Sequence, residues 1–392
     1  MLGSMHGMVK RRIPSKQSLH AVTSTALVSK SVKTVVAPEP DASECPDAVM
    51  PSIADRPMHC MWQATCSFNR RYAVDETKEL GRGTYGRVYQ ARCGDEGDVA
   101  VKVVNTSEEG LAASALNELR LLHDLQGGLN KSCHPNVVRL IDAVITHMEV
   151  RLVFEIAERS LHTAIKTMPS SRFVHLESSL SAELVCKWTS DIGAALCFVH
   201  ERSIIHRDVT PSNLLLIPSV DRLVLKLGDF GLGCISQKPQ PNDSDVTTLF
   251  YRAPEVLFGA SSYTNKIDVW SYGCVLAEMA LGYPIFRTSR HKTSLTTSEE
   301  KRFTMDAILN VVGYQVEPTR NAWGLEKWRH ANLLPLGPRP SRLKDVLSAT
   351  LSSKGVDLLG RILAFAPMVR MTAAEALGHS YIDWPLIRTF VH

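Results

Sequence analysis

His206-Arg207-Asp208-Val209-Thr210-Pro211-Ser212-Asn213, and beyond it Asp229-Phe230-Gly231, is the stretch on which the reading of this 392-residue chain turns. No one of these residues alone separates a site from a packed loop, so their meaning comes from the segments around them. Before them Ala182 to His200 has helical periodicity, and Lys266 to Ala280 has it again further on. Upstream the pattern changes to short strand-like segments: Glu79-Leu80, Arg87 to Ala91, Val99 to Val104 and Val150 to Glu155. Gly94, Asp95, Gly97 and Asp98 punctuate them as turn residues. Between the strands, Leu111 to Leu125 carries Leu116, Leu119, Leu122 and Leu125 at helical spacing. A strand-rich first part followed by a helix-rich second part implies an α+β chain with two lobes and a cleft between them.

Gly81, Gly83 and Gly86 form G-x-G-x-x-G, a pattern that dinucleotide-binding folds also use. In those folds the glycines open a helix. Here Val88 and Tyr89 continue a strand, followed by a turn and the strand that ends near Lys102, which describes a hairpin folded over phosphates. Glycine suits such a hairpin because, lacking Cβ, it lets backbone amides approach phosphate oxygens.

The full set of motifs then appears in order: Val99-Ala100-Val101-Lys102, Glu118 in a helix, His206-Arg207-Asp208 with Asn213, Asp229-Phe230-Gly231, and Ala253-Pro254-Glu255. In these residues the chain resembles the protein kinase family, and the similarity extends through Asp268-Val269-Trp270-Ser271 to Arg370. The resemblance implies a two-lobed protein kinase fold over residues 71–386. A small strand-rich N-lobe would cover 71–156 and a larger helical C-lobe 157–386, after a tail of residues 1–70. It also implies the roles of individual residues. Lys102 would hold the α- and β-phosphates of ATP, with Glu118 fixing its direction. Asn213 and Asp229 would ligate Mg²⁺ through oxygen. Asp208 would accept or orient the proton of the attacking hydroxyl. Leu80, Gly81, Gly83, Gly86, Val88, Ala100, Glu155, Ala157 and Leu215 would surround the nucleotide. Arg370 would pair with Glu255, and Asp268 would bond the backbone of the catalytic loop. His206 and Phe230 are read as packing residues.

Gly81-Arg82-Gly83-Thr84-Tyr85-Gly86, Leu249-Phe250-Tyr251-Arg252-Ala253-Pro254-Glu255 and the segment Thr304 to Trp323 are similar to the cyclin-dependent kinases and their relatives. That resemblance implies Ser/Thr phosphorylation before proline, shaped by Arg252. It implies inhibitory phosphorylation at Thr84 and Tyr85, with unmodified loop residues as the alternative. Phe154 matches the gatekeeper at the back of the adenine pocket, with Glu155, Ile156 and Ala157 as the hinge. Hinge contacts run through backbone, so these side chains are expected to say little. Ala112 to Glu118 loosely matches the helix that cyclins grip, which implies a cyclin-like regulatory subunit.

The chain departs from the family pattern in two ways that bear on activity. Thr210 stands where the catalytic loop of the family has lysine, two residues after Asp208. This leaves two readings: an active kinase slowed by the loss of a phosphate contact, or a pseudokinase that holds partners. The family also grips an activation-loop phosphothreonine with three arginines. Here Asp243 falls at the threonine position and Asn117 and Cys234 at two arginine positions, leaving Arg207. Asp243 pairing with Arg207 is one reading, and phosphorylation of Ser244 or Thr247 in a solvated loop is the other. The polar stretch Thr288 to Lys301 reads as an insertion loop.

Composition narrows the remaining possibilities. The formal charge is +4, but Lys10, Arg11, Arg12, Lys16, Lys30 and Lys33 all precede the first acidic residue, Glu39. Without those six the chain holds 38 basic against 40 acidic residues, which gives no electrostatic case for a nucleic-acid partner. A nucleic-acid-binding reading would rest on Lys10 to Lys33 alone. No apolar run reaches the roughly 18 residues of a membrane span. Nine cysteines without paired C-x-x-C spacing argue for reduced thiols inside the cell, in nucleus or cytoplasm. His59, Cys60 and Cys66 lack a nearby fourth metal ligand. The Ser-, Thr-, Val- and Pro-rich basic tail of residues 1–70 lacks sustained periodicity and is read as mostly disordered, compatible with a nuclear-import patch at Val9 to Arg12, with an organellar transit peptide, or with no address at all.

Overall fold

The computed structural model describes residues 67–83, 86–106, 111–131, 134–146, 148–167, 180–220, 222–236, 248–260, 262–287, 297–314, 328–330 and 337–382. The readings placed on the tail before residue 67, on Thr84 and Tyr85, and on Asp243, Ser244 and Thr247 lie outside the described residues.

β1 (Tyr72–Gly83), β2 (Gly86–Cys93), β3 (Gly97–Asn105), β4 (Leu140–Ile145) and β5 (Glu149–Glu155) form one sheet in the order β1-β2-β3-β5-β4. Every neighbouring pair in it is antiparallel. Strand alternation decides which residues face the cleft. Along β3, Val99 and Val101 pack outward with Phe68, Tyr72, Ile141 and Val153, while Ala100 and Val104 join the main core on the opposite face. Lys102 shares the parity of Ala100 and Val104. On that inner face lies α1 (Leu111–Gln126), which buries Ala115, Leu121, Leu122 and Leu125. Each fully buried leucine contributes about 1.5–3 kcal/mol.

The rest of the chain is dominated by helices. β6 (Arg159–Ser160), α2 (Leu161–Thr167), α3 (Ala182–Glu201) and β7 (Ile204–Ile205) lead into β8 (Leu214–Pro218) and β9 (Leu223–Leu227). β6, β8 and β9 make a three-stranded sheet, and β10 (Cys234–Ile235) pairs with β7. α4 (Pro254–Leu257), α5 (Lys266–Leu281), α6 (Thr297–Val311), α7 (Leu343–Leu347), α8 (Ser353–Ile362) and α9 (Ala373–Leu377) follow. α5 is buried on every side, as a helix apolar all round must be, and Trp270 on it stacks on Phe286 at 5.5 Å. Ser181 caps α3 by accepting the Leu184 amide, and Thr372 with Glu375 forms a capping box on α9.

Several boundaries differ from those expected. β1 is far longer than Glu79-Leu80, because a mostly exposed edge strand with register shifts at Asp75–Glu79 and Glu79–Gly81 carries no period-two signal. The tail does not run to residue 70: residues 67–71 form a helical turn, and Phe68 is 3% exposed, packed 4.7 Å from the Tyr72 ring. The segment expected as an insertion loop up to Lys301 becomes helical at Thr297, where Glu299 and Glu300 complement the positive end of α6.

Candidate active site

The β8–β9 hairpin brings two distant motifs together. Its register pairs Leu214 with Leu227, so the residues just outside it, Asn213 and Gly228, must meet, and the Gly228 amide donates to the Asn213 carbonyl at 2.9 Å. Asp229 follows directly, with φ of 58°. The catalytic loop enters β8 from the other side and is held from below. Asp268, on the first turn of α5, accepts the His206 and Arg207 amides at 2.8 Å each and the His200 ring at 2.9 Å. These bonds sustain a φ of 69° at Arg207, a conformation that costs a non-glycine residue about 1–3 kcal/mol. His206 accepts the Asp208 amide on Nδ1 at 3.2 Å and donates from Nε2 to the Gly228 carbonyl at 3.0 Å. Its ring meets Phe230 edge-on at 4.7 Å.

Asp208 is held at both oxygens. Asn213 Nδ2 donates to Oδ2 at 2.8 Å, and the Thr248 amide and hydroxyl donate to Oδ1 at 3.3 and 3.4 Å. Burial pushes the Asp208 carboxyl above its ordinary value, the nearby Asp229 charge adds to this, and the bonds from Thr248 and Asn213 oppose it. Because Asn213 Nδ2 also donates to the Asp208 carbonyl at 2.9 Å, its amide nitrogen is committed and its oxygen is the atom left to act as a ligand.

Lys102 Nζ lies 2.7 Å from Glu118 Oε2 and 3.1 Å from Asp229 Oδ1. Burial pulls the ammonium down, but the two carboxylates outweigh it and hold Lys102 above its ordinary value. β3 and α1 thus converge on Asp229.

A cleft of about 590 Å³ opens above these groups. Leu80, Gly81, Gly86, Val88, Ala100, Lys102, Glu118, Glu155, Ala157, Asn213, Leu215 and Asp229 all line it, as do Val138 and Phe154. Gly83 ends β1, paired with Gly86. Gly86 has φ of +142°, and a Cβ there would stand 2.5 Å from the Val103 carbonyl oxygen, so the hairpin closes onto β3 only with glycine. Asn213 and Asp229 offer hard oxygen donors at the cleft, the donor type that suits Mg²⁺.

Sequence reasoning missed the two arginines at the cleft, the burial of Thr210 and the contacts of the Glu155 side chain. Arg82 and Arg159 also line the cleft; Arg82 pairs with Glu79 at 3.1 Å and Arg159 with Glu158. Thr210 is buried, 4% exposed, and brings no charge. The side chain of Glu155, expected to say little, is the hub of a clasp. Lys226 of β9 donates to its two oxygens at 2.8 and 2.9 Å, and the Arg139 amide donates to Oε1 at 2.7 Å. Proximity in sequence gives no sign of the Lys226 contact, because it joins the lobes across the fold.

In the C-lobe, Arg370 forks onto Glu255 at 2.7 and 3.0 Å, with the Arg370 side chain fully buried. Among the described residues no helix is long and apolar enough to cross a membrane.

Comparison with known proteins agrees with this geometry. The family model described as "Protein kinase domain" matches residues 74–382. A relative named "Cell division control protein 2 homolog 1", from Trypanosoma brucei brucei, is 31% identical over 327 residues, 79% of this chain and 97% of that protein. A chain in the structure of the CAK complex from Chaetomium thermophilum bound to ATP-γ-S is 30% identical, with a TM-score of 0.66. The match covers 82% of this chain and 94% of that one. With Lys102, Glu118, Asn213 and Asp229 of the ordered motifs meeting in one cleft and the match running through both lobes, this chain is a member of the protein kinase family, on the branch that resembles the cyclin-dependent kinases.

Proposed function

We propose that the chain transfers the γ-phosphate of ATP to Ser or Thr hydroxyls of proteins, before proline, with Mg²⁺ and a cyclin-like regulatory subunit. The observation that carries this reading is the convergence of Lys102, Glu118 and Asp229 in hydrogen-bonding distance, beside an Asp208 held at both oxygens. Lys102 positions the α- and β-phosphates. Asn213 and Asp229 would hold Mg²⁺, which supplies charge to neutralise the triphosphate. Asp208 orients the acceptor hydroxyl and takes its proton as the new O–P bond forms and ADP leaves. Its raised pKa makes it a better proton acceptor than an ordinary carboxylate. The proposed setting is nucleus or cytoplasm.

A second reading rests on Thr210. A buried, uncharged side chain at that place removes a cation from the catalytic loop, which favours a slow kinase or a pseudokinase that holds partners. Phosphate transfer from ATP–Mg²⁺ to Ser-Pro and Thr-Pro peptides, with and without candidate cyclins, decides between them. A kinase loses transfer in Asp208→Asn and gains on the order of 10²-fold in Thr210→Lys. Silence of the wild type with every partner, broken only by Thr210→Lys, assigns the scaffold.

A further inference from the structure

α1 meets the segment after Asp229 along a single stripe. Ser114, Asn117, Glu118 and Leu121 are spaced to share one helix face. Ser114 and Leu121 are buried and each faces a glycine. A Cβ on Gly231 would stand 2.4 Å from Ser114 Oγ, and one on Gly233 would stand 2.6 Å from Leu121 Cδ1. Such close approach puts the short side chain of Asn117 within reach of backbone. Its Nδ2 donates to the Gly231 carbonyl at 3.1 Å and to the Gly233 carbonyl at 2.8 Å. Arg120 donates to Asn117 Oδ1 at 3.0 Å, which fixes the amide the same way round: the opposite orientation would set oxygen against two carbonyls and nitrogen against a guanidinium. The carbonyl between these two, that of Leu232, receives Arg207 Nε from the catalytic loop. One residue along the helix, Glu118 accepts the Phe230 amide on Oε1 at 3.3 Å while its other oxygen holds Lys102.

We propose that Asn117 is a positioning residue, a neutral latch that holds α1 against the Gly231–Gly233 backbone and so keeps Glu118, Lys102 and Asp229 in register. This rests on the kinase reading. The side chain of Asn117 acts through Glu118, its neighbour on the helix. Where the latch opens, α1 is free to move off the segment and Glu118 leaves Lys102, so fewer molecules hold a competent site at any moment. The donor and both acceptors of these bonds are uncharged.

The test compares the full-length wild type with Asn117→Ala and Asn117→Asp at pH 8. The measurements are kcat and KM for ATP, hydrogen exchange over residues 111–126 and 229–236, and the thermal midpoint. Loss of two hydrogen bonds lowers kcat about tenfold in Asn117→Ala. The drop is larger in Asn117→Asp, where a carboxylate of nearly the same shape faces two carbonyl oxygens. Exchange rises in both segments. A space-filling role gives the opposite order, with Asn117→Asp close to wild type and Asn117→Ala impaired, and that order overturns the latch. Unchanged exchange in both variants overturns it as well. If the wild type transfers no phosphate, the kinase reading fails, while the order of the two variants in hydrogen exchange still decides the latch.

Discussion

The Glu155–Lys226 clasp ties the end of β5, where the lobes join, to the strand that delivers Asp229. Lys226 Nζ sits within 2.9 Å of both carboxylate oxygens, with side chains 16% and 13% exposed. A fully exposed pair contributes about 0–1 kcal/mol, and breaking a fully buried one costs about 3–5 kcal/mol. Partial solvation places this pair between, at about 2 kcal/mol. Lys226→Met leaves the largely buried Glu155 with the Arg139 amide as its remaining described partner, so that variant should lose about 2 kcal/mol, and Glu155→Gln about 1 kcal/mol, since Gln still accepts that amide. The pairing predicts that Glu155→Gln/Lys226→Met is no worse than Lys226→Met alone, a coupling of about 1 kcal/mol in denaturant unfolding. Because the clasp orients the hinge, KM for ATP should rise several-fold in each single variant. Strictly additive losses, or an unaltered KM with lost stability, would refute the claim that this ion pair positions the nucleotide.

Three further outcomes follow from the geometry. Arg370→Met strands Glu255 in the C-lobe core and should cost about 3–5 kcal/mol in urea unfolding. Gly86→Ala forces a Cβ against the Val103 carbonyl and should raise KM for ATP at least tenfold, measured by initial rates, with a change of only about 1–3 kcal/mol in stability. Acidification should protonate Asp208 at a pH above the ordinary Asp value of 3.8, so kcat/KM falls as pH drops through that raised value. A carboxyl raised on folding adds stability below its unfolded pKa and loses it as pH rises through the folded one, so this loss of rate is not unfolding driven by Asp208. A pH–rate profile alongside a pH–stability profile separates the two.

Much of the cleft was legible because its residues carry local signals. Gly81, Gly83 and Gly86 are spaced by backbone needs, the parity of β3 sets Ala100 and Lys102 on one face, and Asn213 and Asp229 each stand in a short motif of fixed spacing. β1 was poorly legible for the opposite reason: an exposed edge strand with shifted register has neither alternation nor burial to imprint on its sequence. Phe68 was missed because one buried aromatic ahead of a strand carries no period.

What the sequence could not disclose is the closure of contacts between elements far apart in the chain. Asn117 appeared there only as a missing arginine, a deficit defined by comparison. In the structure it is a hydrogen-bond donor with two acceptors, and it has them because Gly231 and Gly233 lack side chains. Neither the asparagine nor the glycines carry the meaning alone. The glycines set the helix-to-backbone distance, that distance selects a short amide over a long guanidinium, and Arg120 then sets which way the amide points. Thr210 is the converse case, a deficit that the described structure does not refill: Lys102 is already shared between Glu118 and Asp229, Arg82 is paired with Glu79, and Arg159 with Glu158. On the proposed reading, packing around the first substitution compensates for it, and the second leaves one cation fewer for a transferring phosphate. Alignment of the chain and shape of its core therefore bear on different questions: the motifs say which chemistry is attempted, and the long-range contacts decide how firmly the site is held for it.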